Sequence, residues 1–191
     1  MIRFHHGVSL VLGSASPRRQ ELLARAGLEF RVRPADIDET PHDYETPTEY
    51  VRRLSLEKSA AVIGANEIVV AADTTVEVNG RVLEKPVDDV DAAAMLRMLS
   101  DRDHHVHTGV SIRSDSVVQS FVVTTTVVFV ELTPQMIEWY IGTGEARDKA
   151  GAYGIQGAAA AFVERVDGSV TNVIGLPMAE TLAMLRVVAG S

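Results

Sequence analysis

Two arginines and two serines lie close together near the start of the chain, in a pattern that could bind phosphate groups. Ser14, Ser16, Arg18 and Arg19 follow an apolar run at positions 8–12 that is typical of a buried strand. Ser16 and the proline after it predict the N-cap and first residue of a helix. Both arginines then fall in the first helical turn, where guanidinium groups, hydroxyls and unpaired backbone N–H groups together suit an oligophosphate. Solvated arginines on a strand–turn–helix are the alternative, and the sequence contains no P-loop motif.

An aspartate ends a continuous apolar run in the first half of the chain. Positions 68–72 (IVVAA) predict a strand covered on both faces, and Asp73 opens the polar segment that ends it. Open α/β sheets place ligand chemistry at the carboxyl ends of their strands, which makes Asp73 a candidate functional acid. A side chain that caps the next turn is an equally good interpretation of its position alone.

Two lysines could bring positive charge to the same site. Positions 46–49 (TPTE) predict a capping box that starts a helix running to about position 63. Lys58 lies four residues after Leu54, beside the predicted apolar stripe. Its ammonium therefore either extends to water or points into a cleft toward an anionic ligand. Lys85 follows a hairpin predicted over positions 76–83 around Asn-Gly, and a solvated lysine is the alternative there.

The segment at positions 34–45 (PADIDETPHDYE) is predicted to be an acidic loop. Its acids are either hydrogen-bonding turn residues or ligands for a hard divalent cation. The loop lacks the spacing of a calcium-binding loop, which favours the turn interpretation. The acids are Asp36, Asp38, Glu39, Asp43 and Glu45.

The rest of the chain alternates further helices and strands, with little sign of chemistry. His105 and His107 share one face of a predicted alternating strand, and exposed histidines are favoured there over a metal site. Positions 1–6 (MIRFHH) carry little structural information, and His5 and His6 are expected to be solvated. The other predicted elements are a helix from Asp88 or Asp89, a long β run over 117–132, a helix from Thr133-Pro134, a hairpin pairing 162–166 with 170–174, and a final helix from 175–177.

Composition limits the classes of protein that the chain could be. The 191 residues, 46% hydrophobic and 23% charged, suit one domain over 1–191, with or without two lobes around a cleft. A net charge of −8 argues against a nucleic-acid surface formed by general basicity. No apolar run approaches the ~20 residues of a membrane span. The N-terminus lacks the basic region, apolar stretch and cleavage site of a secretory signal, and the absence of cysteine excludes disulfides and thiolate metal sites. We therefore expect a cytoplasmic protein.

Five separated motifs in this sequence resemble those of the Maf family of nucleoside triphosphate pyrophosphatases. They are SASPRR with ELL at positions 14–23, Lys58, Ala72-Asp73-Thr74, Glu84-Lys85-Pro86 and DKAGAYGIQG at 148–157. The resemblance implies an α/β fold of the Maf/ITPase-like type, a mixed, long-stranded sheet with helices and two lobes flanking a deep cleft. It also implies hydrolysis between the α and β phosphates with a divalent metal, Mg²⁺ or Mn²⁺.

The resemblance further implies roles for individual residues. Asp73 becomes the catalytic residue, as general base or metal ligand, and Glu39 and Glu84 are the additional carboxylates for the metal. Substrate would be bound by Ser14, Arg18, Arg19, Lys58, Thr74, Lys85 and Gln156.

Three of these positions match the branch of the family that acts on dTTP and UTP, namely Arg18, Thr74 and Gln156. A glutamine side chain offers a donor and an acceptor to the imide edge of uracil or thymine. Other modified or purine nucleotides such as 7-methyl-GTP remain an alternative, as does a non-enzymatic, nucleotide-binding regulator of cell division. A homodimer is possible, with Trp139 or Tyr140 as its anchor, and no nucleic-acid or membrane partner is expected.

Overall fold

The structure, a computed structural model, describes residues 7–190; His5, His6, the rest of positions 1–6, and Ser191 lie outside the described residues. Within that range the chain forms seven strands, labelled β1 to β7, and six helices, labelled α1 to α6. In chain order they are β1 (Ser9–Leu12), α1 (Pro17–Arg25), β2 (Arg31–Val32), α2 (Pro47–Val62), β3 (Glu67–Val78), β4 (Arg81–Leu83), α3 (Asp89–Leu99), β5 (Asp103–Arg113), β6 (Val118–Phe129), α4 (Pro134–Gly142), β7 (Val163–Asp167), α5 (Val170–Ile174) and α6 (Met178–Val188).

The strands form one mixed sheet in the order β2-β1-β3-β5-β6-β7, with β4 paired to β3. β1 runs parallel to β2 and β3, whereas β4 is antiparallel to β3 and β7 is antiparallel to β6. β3 and β6 have 12 residues each and β5 has 11, longer than the usual 3–10. The prediction of a mixed, long-stranded α/β sheet is confirmed.

The chain divides into two compact units. The first comprises the described residues of Met1–Asp73, Thr108–Val123 and Gly175–Ser191, and the second comprises Thr74–His107 and Thr124–Ile174. The first unit buries an apolar cluster that includes Leu12, Val70 and Leu185. The core of the second unit is rich in large side chains, among them Phe129, Tyr140 and Phe162. A single domain over 1–191 and a cleft flanked by two lobes stay predictions.

Local signals produced the predicted α2 and the predicted hairpin. The Thr46 hydroxyl accepts a hydrogen bond from the Glu49 N–H while the Glu49 carboxylate accepts one from the Thr46 N–H, which is a complete capping box. Asn79 and Gly80 have φ angles of 52° and 75°, the left-handed pair that a two-residue hairpin turn requires. Among the described residues, no helix is both long and apolar enough to cross a membrane.

The predicted final hairpin is wrong in its second half. Positions 170–174 form helix α5 and not a strand, and β7 pairs with β6 instead. The Ser169 side chain explains the difference, because its Oγ accepts a hydrogen bond from the Asn172 N–H at 3.2 Å and so begins a helical turn. The Ser169 N–H donates to the Thr125 hydroxyl at 3.0 Å, which fixes where this turn lies.

His104 on β5 is buried in the core of the second unit and is only 1% exposed. Its Nε2 lies 2.8 Å from the Tyr153 hydroxyl, and its ring makes edge contacts with Phe129 and Tyr153. Burial lowers the pKa of His104 from 6.5 to about 4; the nearby His105 adds to this effect and Asp103 opposes it. This histidine therefore stays neutral in the folded protein at neutral pH.

The burial of His104 predicts a loss of stability in mild acid. His104 binds a proton near pH 6.5 in the unfolded chain but only near pH 4 in the folded chain. The stability that neutral His104 contributes above pH 6.5 is therefore lost as the pH falls toward 4. About 2 kcal/mol of that loss falls between pH 7.5 and 5. His104→Gln can still bond to Tyr153 but cannot titrate, so its free energy of unfolding in urea should fall by that much less over this range. His105→Gln, at the more exposed neighbouring position, is the control, and equal losses in wild type and His104→Gln would contradict the assignment.

Candidate active site

Asp73 lies inside β3 and not at its end, contrary to the sequence prediction. β1 ends at Leu12 opposite Val70, but β3 continues to Val78 because its last residues pair with β4. Asp73 is therefore three residues beyond the last parallel partner of β1, past the carboxyl end of a neighbouring strand. Its side chain is 12% exposed.

Lys58 joins two of the predicted acids. Its Nζ donates a hydrogen bond to Asp73 Oδ1 at 2.7 Å and forms an ion pair with Glu39 Oε1 at 2.9 Å. The Lys58 side chain is 10% exposed, so it does not extend to water as an amphipathic lysine would. Glu39, on the acidic loop, is half exposed. An ammonium between two carboxylates compensates charges that would otherwise repel each other, so the three groups can lie together.

Ser14 and Arg19 form the second part of the site in the first unit. The buried Ser14 hydroxyl accepts hydrogen bonds from Arg19 Nη1 at 3.0 Å and from the Ser16 N–H at 3.3 Å. Arg19 Nε donates to the Gly175 carbonyl at 2.7 Å. Ser16 occupies the N-cap position of α1 and Pro17 is its first residue, which confirms the prediction, although the Ser16 side chain makes no capping hydrogen bond.

The charges of this region act on one another. Desolvation lowers the pKa of Arg19. The negative charges of Asp73 and Glu39 oppose this shift, whereas the positive charge of Arg18 adds to it. The first unit thus brings two arginines, a lysine, two carboxylates and a buried hydroxyl within electrostatic reach. Such a group can neutralise phosphate oxygens and can also accept a proton or hold a cation. Its members are Ser14, Arg18, Arg19, Glu39, Lys58 and Asp73.

The remaining predicted site residues belong to the second unit. Thr74 on β3 is half-buried, whereas Glu84, Lys85 and Gln156 are exposed. The Glu84 carbonyl accepts a hydrogen bond from the Gly151 N–H at 3.2 Å, which joins the end of the β3–β4 hairpin to the glycine-rich loop. The roles of these four residues stay predictions.

The glycine-rich loop that carries Gln156 is held by side chains that the sequence did not single out for this purpose. The hydroxyl of Tyr140, on α4, accepts a hydrogen bond from the Gly154 N–H at 3.1 Å. The Glu145 carboxylate accepts one from the Ala158 N–H at 2.9 Å and occupies the space that a Cβ on Gly157 would need. Lys149 Nζ donates to the Glu145 carbonyl at 2.6 Å. Gln156 thus projects from a backbone that is fixed on both sides.

Comparison with known proteins identifies the family of this chain. The family model described as "Maf-like protein" matches residues 9–188. The chain belongs to the Maf family. A relative from Anaeromyxobacter dehalogenans, named dTTP/UTP pyrophosphatase, is 54% identical over 181 residues, which cover 93% of this chain and 92% of the relative. Relatives from Koribacter versatilis and Vibrio vulnificus carry the same name, with 45% identity over 97% of both chains and 49% identity over 93% of this chain and 97% of the relative.

A likeness among solved structures is weaker. The Ham1 protein of Staphylococcus aureus has a TM-score of 0.43 and 19% identity, over 63% of this chain and 71% of that chain. The family is therefore identified by the family model and the sequence relatives, and the Ham1 structure adds nothing to it.

The two carboxylates of the candidate site have the chemistry to bind a divalent cation that arrives with a phosphate ligand. No group of three or more histidine, cysteine or acidic side chains that could hold a metal ion occurs within residues 7–190. Mg²⁺ is commonly held, however, by one or two carboxylates together with substrate phosphates. Asp73 and Glu39 are two such hard oxygen donors. They lie near each other, because each has an oxygen within 3 Å of the Lys58 ammonium.

Sequence reasoning missed the side chains of α2 that support the candidate site in the first unit. Tyr50 and Arg53, both on α2, bind the acidic loop that carries Glu39. The nearest available signal was their position in the helix that carries Lys58, but a tyrosine and an arginine on a helix are usually explained by packing and solvation.

Proposed function

We propose that this Maf protein hydrolyses dTTP and UTP to the nucleoside monophosphate and pyrophosphate. The geometric observation that carries the proposal is the Lys58 ammonium held between Asp73 and Glu39, beside Arg19. The substrates follow from the names of relatives that are 45–54% identical over nearly the whole chain. Such an enzyme removes nucleotides from the cellular pool, so we also propose a cytoplasmic location.

Hydrolysis of the α–β phosphoanhydride needs charge compensation and a positioned water. Water attacks phosphorus, pyrophosphate leaves, and one proton of the water must be accepted. Asp73 is the proposed acceptor, because its carboxylate is fixed by Lys58 at 2.7 Å. Arg18 and Arg19 would bind phosphate oxygens, with Ser14 holding the Arg19 guanidinium in place. Positioning and electrostatic stabilisation account for most catalysis of phosphoryl transfer.

Asp73 and Glu39 are the proposed ligands of a divalent metal, Mg²⁺ or Mn²⁺, with Glu84 as a further candidate carboxylate. When bound, the metal would neutralise charge on the phosphate oxygens. In the second unit, we propose that Lys85 binds phosphate and that Gln156 and Thr74 recognise the pyrimidine. Gln156 suits this task because its amide offers one donor and one acceptor from a fixed loop.

A homodimer also stays a proposal. Trp139 on α4 is 52% exposed and could contribute to such an interface. Tyr140 is fully buried in the core of the second unit, so it cannot serve as the anchor.

The proposed reaction predicts pyrophosphate release with a preference for two nucleotides. The purified protein is assayed with Mg²⁺ or Mn²⁺ on dTTP, UTP, dCTP, GTP, ATP and 7-methyl-GTP in parallel, and dTTP and UTP should have the highest kcat/KM. Preference for another base would retain the chemistry and reject the role of Gln156. Nucleotide binding without release of pyrophosphate from any substrate would reject the enzyme and favour a regulator.

The proton acceptor predicts a large effect of a nearly isosteric substitution. Asp73→Asn keeps an oxygen for Lys58 but removes the base, so kcat should fall ~10²–10⁴-fold. Glu67→Gln is the matched control, since Glu67 is another buried acid on β3 that is paired with an arginine, Arg33, at 2.7 Å. Urea unfolding of both variants separates folding from catalysis. Turnover by Asp73→Asn close to that of wild type would reject Asp73 as the base.

Base recognition predicts a change of specificity at Gln156. Gln156→Glu replaces the amide donor with an acceptor, so kcat/KM for dTTP should fall about tenfold or more, while use of 7-methyl-GTP, a cationic purine, should rise relative to dTTP. Gln119→Glu makes the same change of charge on the exposed surface of β6 and serves as the control. Unchanged turnover of dTTP by Gln156→Glu would refute its role.

A further inference from the structure

A partly buried ion pair attaches the acidic loop at positions 34–45 to helix α2. Arg53 Nε donates to Glu45 Oε1 at 2.7 Å, and Arg53 Nη2 donates to Glu45 Oε2 at 2.8 Å. The two side chains are only 17% and 9% exposed. A guanidinium and a carboxylate joined by two parallel hydrogen bonds form a strong and directional pair. The C-terminal end of the loop, at Glu45, is therefore held to the helix more firmly than by an ordinary surface ion pair.

Four further hydrogen bonds fix the backbone at Glu39 and at its neighbour Thr40. The Tyr50 hydroxyl donates to the Glu39 carbonyl at 2.9 Å. Arg53 Nη2 donates to the carbonyl of the next residue, Thr40, at 3.2 Å. The Asp38 carboxylate accepts hydrogen bonds from the Thr40 N–H and hydroxyl at 2.9 and 2.6 Å. The main chain on both sides of the Glu39 side chain is thus constrained.

The same helix carries the partner of Glu39. Lys58 lies on α2 with Tyr50 and Arg53, and its Nζ is 2.9 Å from Glu39 Oε1. The Glu39 side chain is half exposed, and an ion pair that is so open to water contributes little to stability by itself. The anchors on its backbone must therefore supply the order that the Lys58 contact does not.

We propose that Arg53, together with Glu45 and Tyr50, is a positioning residue that holds the Glu39 carboxylate beside Lys58 and Asp73 for binding of a divalent cation. The assignment of Glu39 to the cation rests on the proposed function, whereas the attachment of the loop does not. Arg53 acts through the loop and through Glu39, so its loss should weaken cation binding more than it weakens the fold.

Arg53→Met tests this inference, because it keeps the alkyl stem and removes the guanidinium. Tyr44 in the acidic loop is fully exposed, so the rate at which chymotrypsin cuts after Tyr44 in the protein alone reports on loop attachment. Arg53→Met should raise that rate about tenfold or more. The concentration of Mn²⁺ that half-saturates the protein in the presence of inorganic pyrophosphate, followed by EPR, should rise ~10–100-fold, as for other residues that support metal ligands.

Arg52→Met is the matched control, since Arg52 is the preceding residue on α2 and its Nε bonds instead to the Ser120 hydroxyl at 3.0 Å. It should change neither readout. The double variant Arg53→Glu with Glu45→Arg reverses the charges of the pair. It should bring both the cleavage rate and the half-saturating Mn²⁺ concentration part of the way back toward wild type. If Arg53→Met does not fold, Tyr50→Phe removes a single hydroxyl and should shift both readouts in the same direction by less.

Two results would overturn the inference. One is that Arg53→Met alters cleavage and Mn²⁺ binding no more than Arg52→Met does. The other is that its free energy of unfolding in urea falls while Mn²⁺ binding is unchanged, which would make the pair purely structural. Failure of the proposed function is distinguishable, because a protein that releases no pyrophosphate from any nucleotide still reports loop attachment by proteolysis.

Discussion

The Lys58 ammonium is the group on which the arrangement of the candidate site depends. It lies between Asp73 and Glu39, at 2.7 and 2.9 Å, with its side chain only 10% exposed. Two carboxylates this close would repel each other without it, and an unpaired buried acid would be strongly destabilising. A strand residue and a loop residue that are far apart in the sequence therefore meet at a third residue on a helix, which compensates their charges.

Lys58 also restricts how α2 can pack. Rotation of a helix by one residue moves each side chain about 100° around its axis, so another register would bury Lys58 without its acids. Polar contacts on the same face act in the same direction: the Ser59 hydroxyl lies 2.9 Å from that of Ser111 and accepts a hydrogen bond from Arg113 Nε at 3.0 Å. The buried face of α2 is thus specified by hydrogen bonds and charge as well as by apolar packing. Apolar packing alone tolerates shifts that these directional contacts do not.

Sequence signals predicted the features that short-range physics decides and failed where distant pairing decides. The capping box at Thr46 and the Asn79-Gly80 hairpin are set by residues within four positions of one another, and both are confirmed. Asp73 was expected to end its strand, but β3 continues because β4 pairs with its last residues. The direction of Lys58 was undecided from periodicity alone, since an amphipathic lysine beside an apolar stripe usually extends to water. The Arg53–Glu45 pair could not be predicted, because charges in a loop and on a helix give no sign that they will pair with each other.

The two units hold their candidate residues by the same physical means. In the first, the Tyr50 hydroxyl on α2 donates to the Glu39 carbonyl, and in the second, the Tyr140 hydroxyl on α4 accepts from the Gly154 N–H beside Gln156. Both bonds join a helix side chain to the main chain of a loop, so they do not depend on which side chain the loop carries at position 39 or 156. Such a loop can keep its path while the group that it presents to a ligand changes. In each unit, the anchoring of the loop is in this sense separable from the chemistry of the side chain that the loop carries.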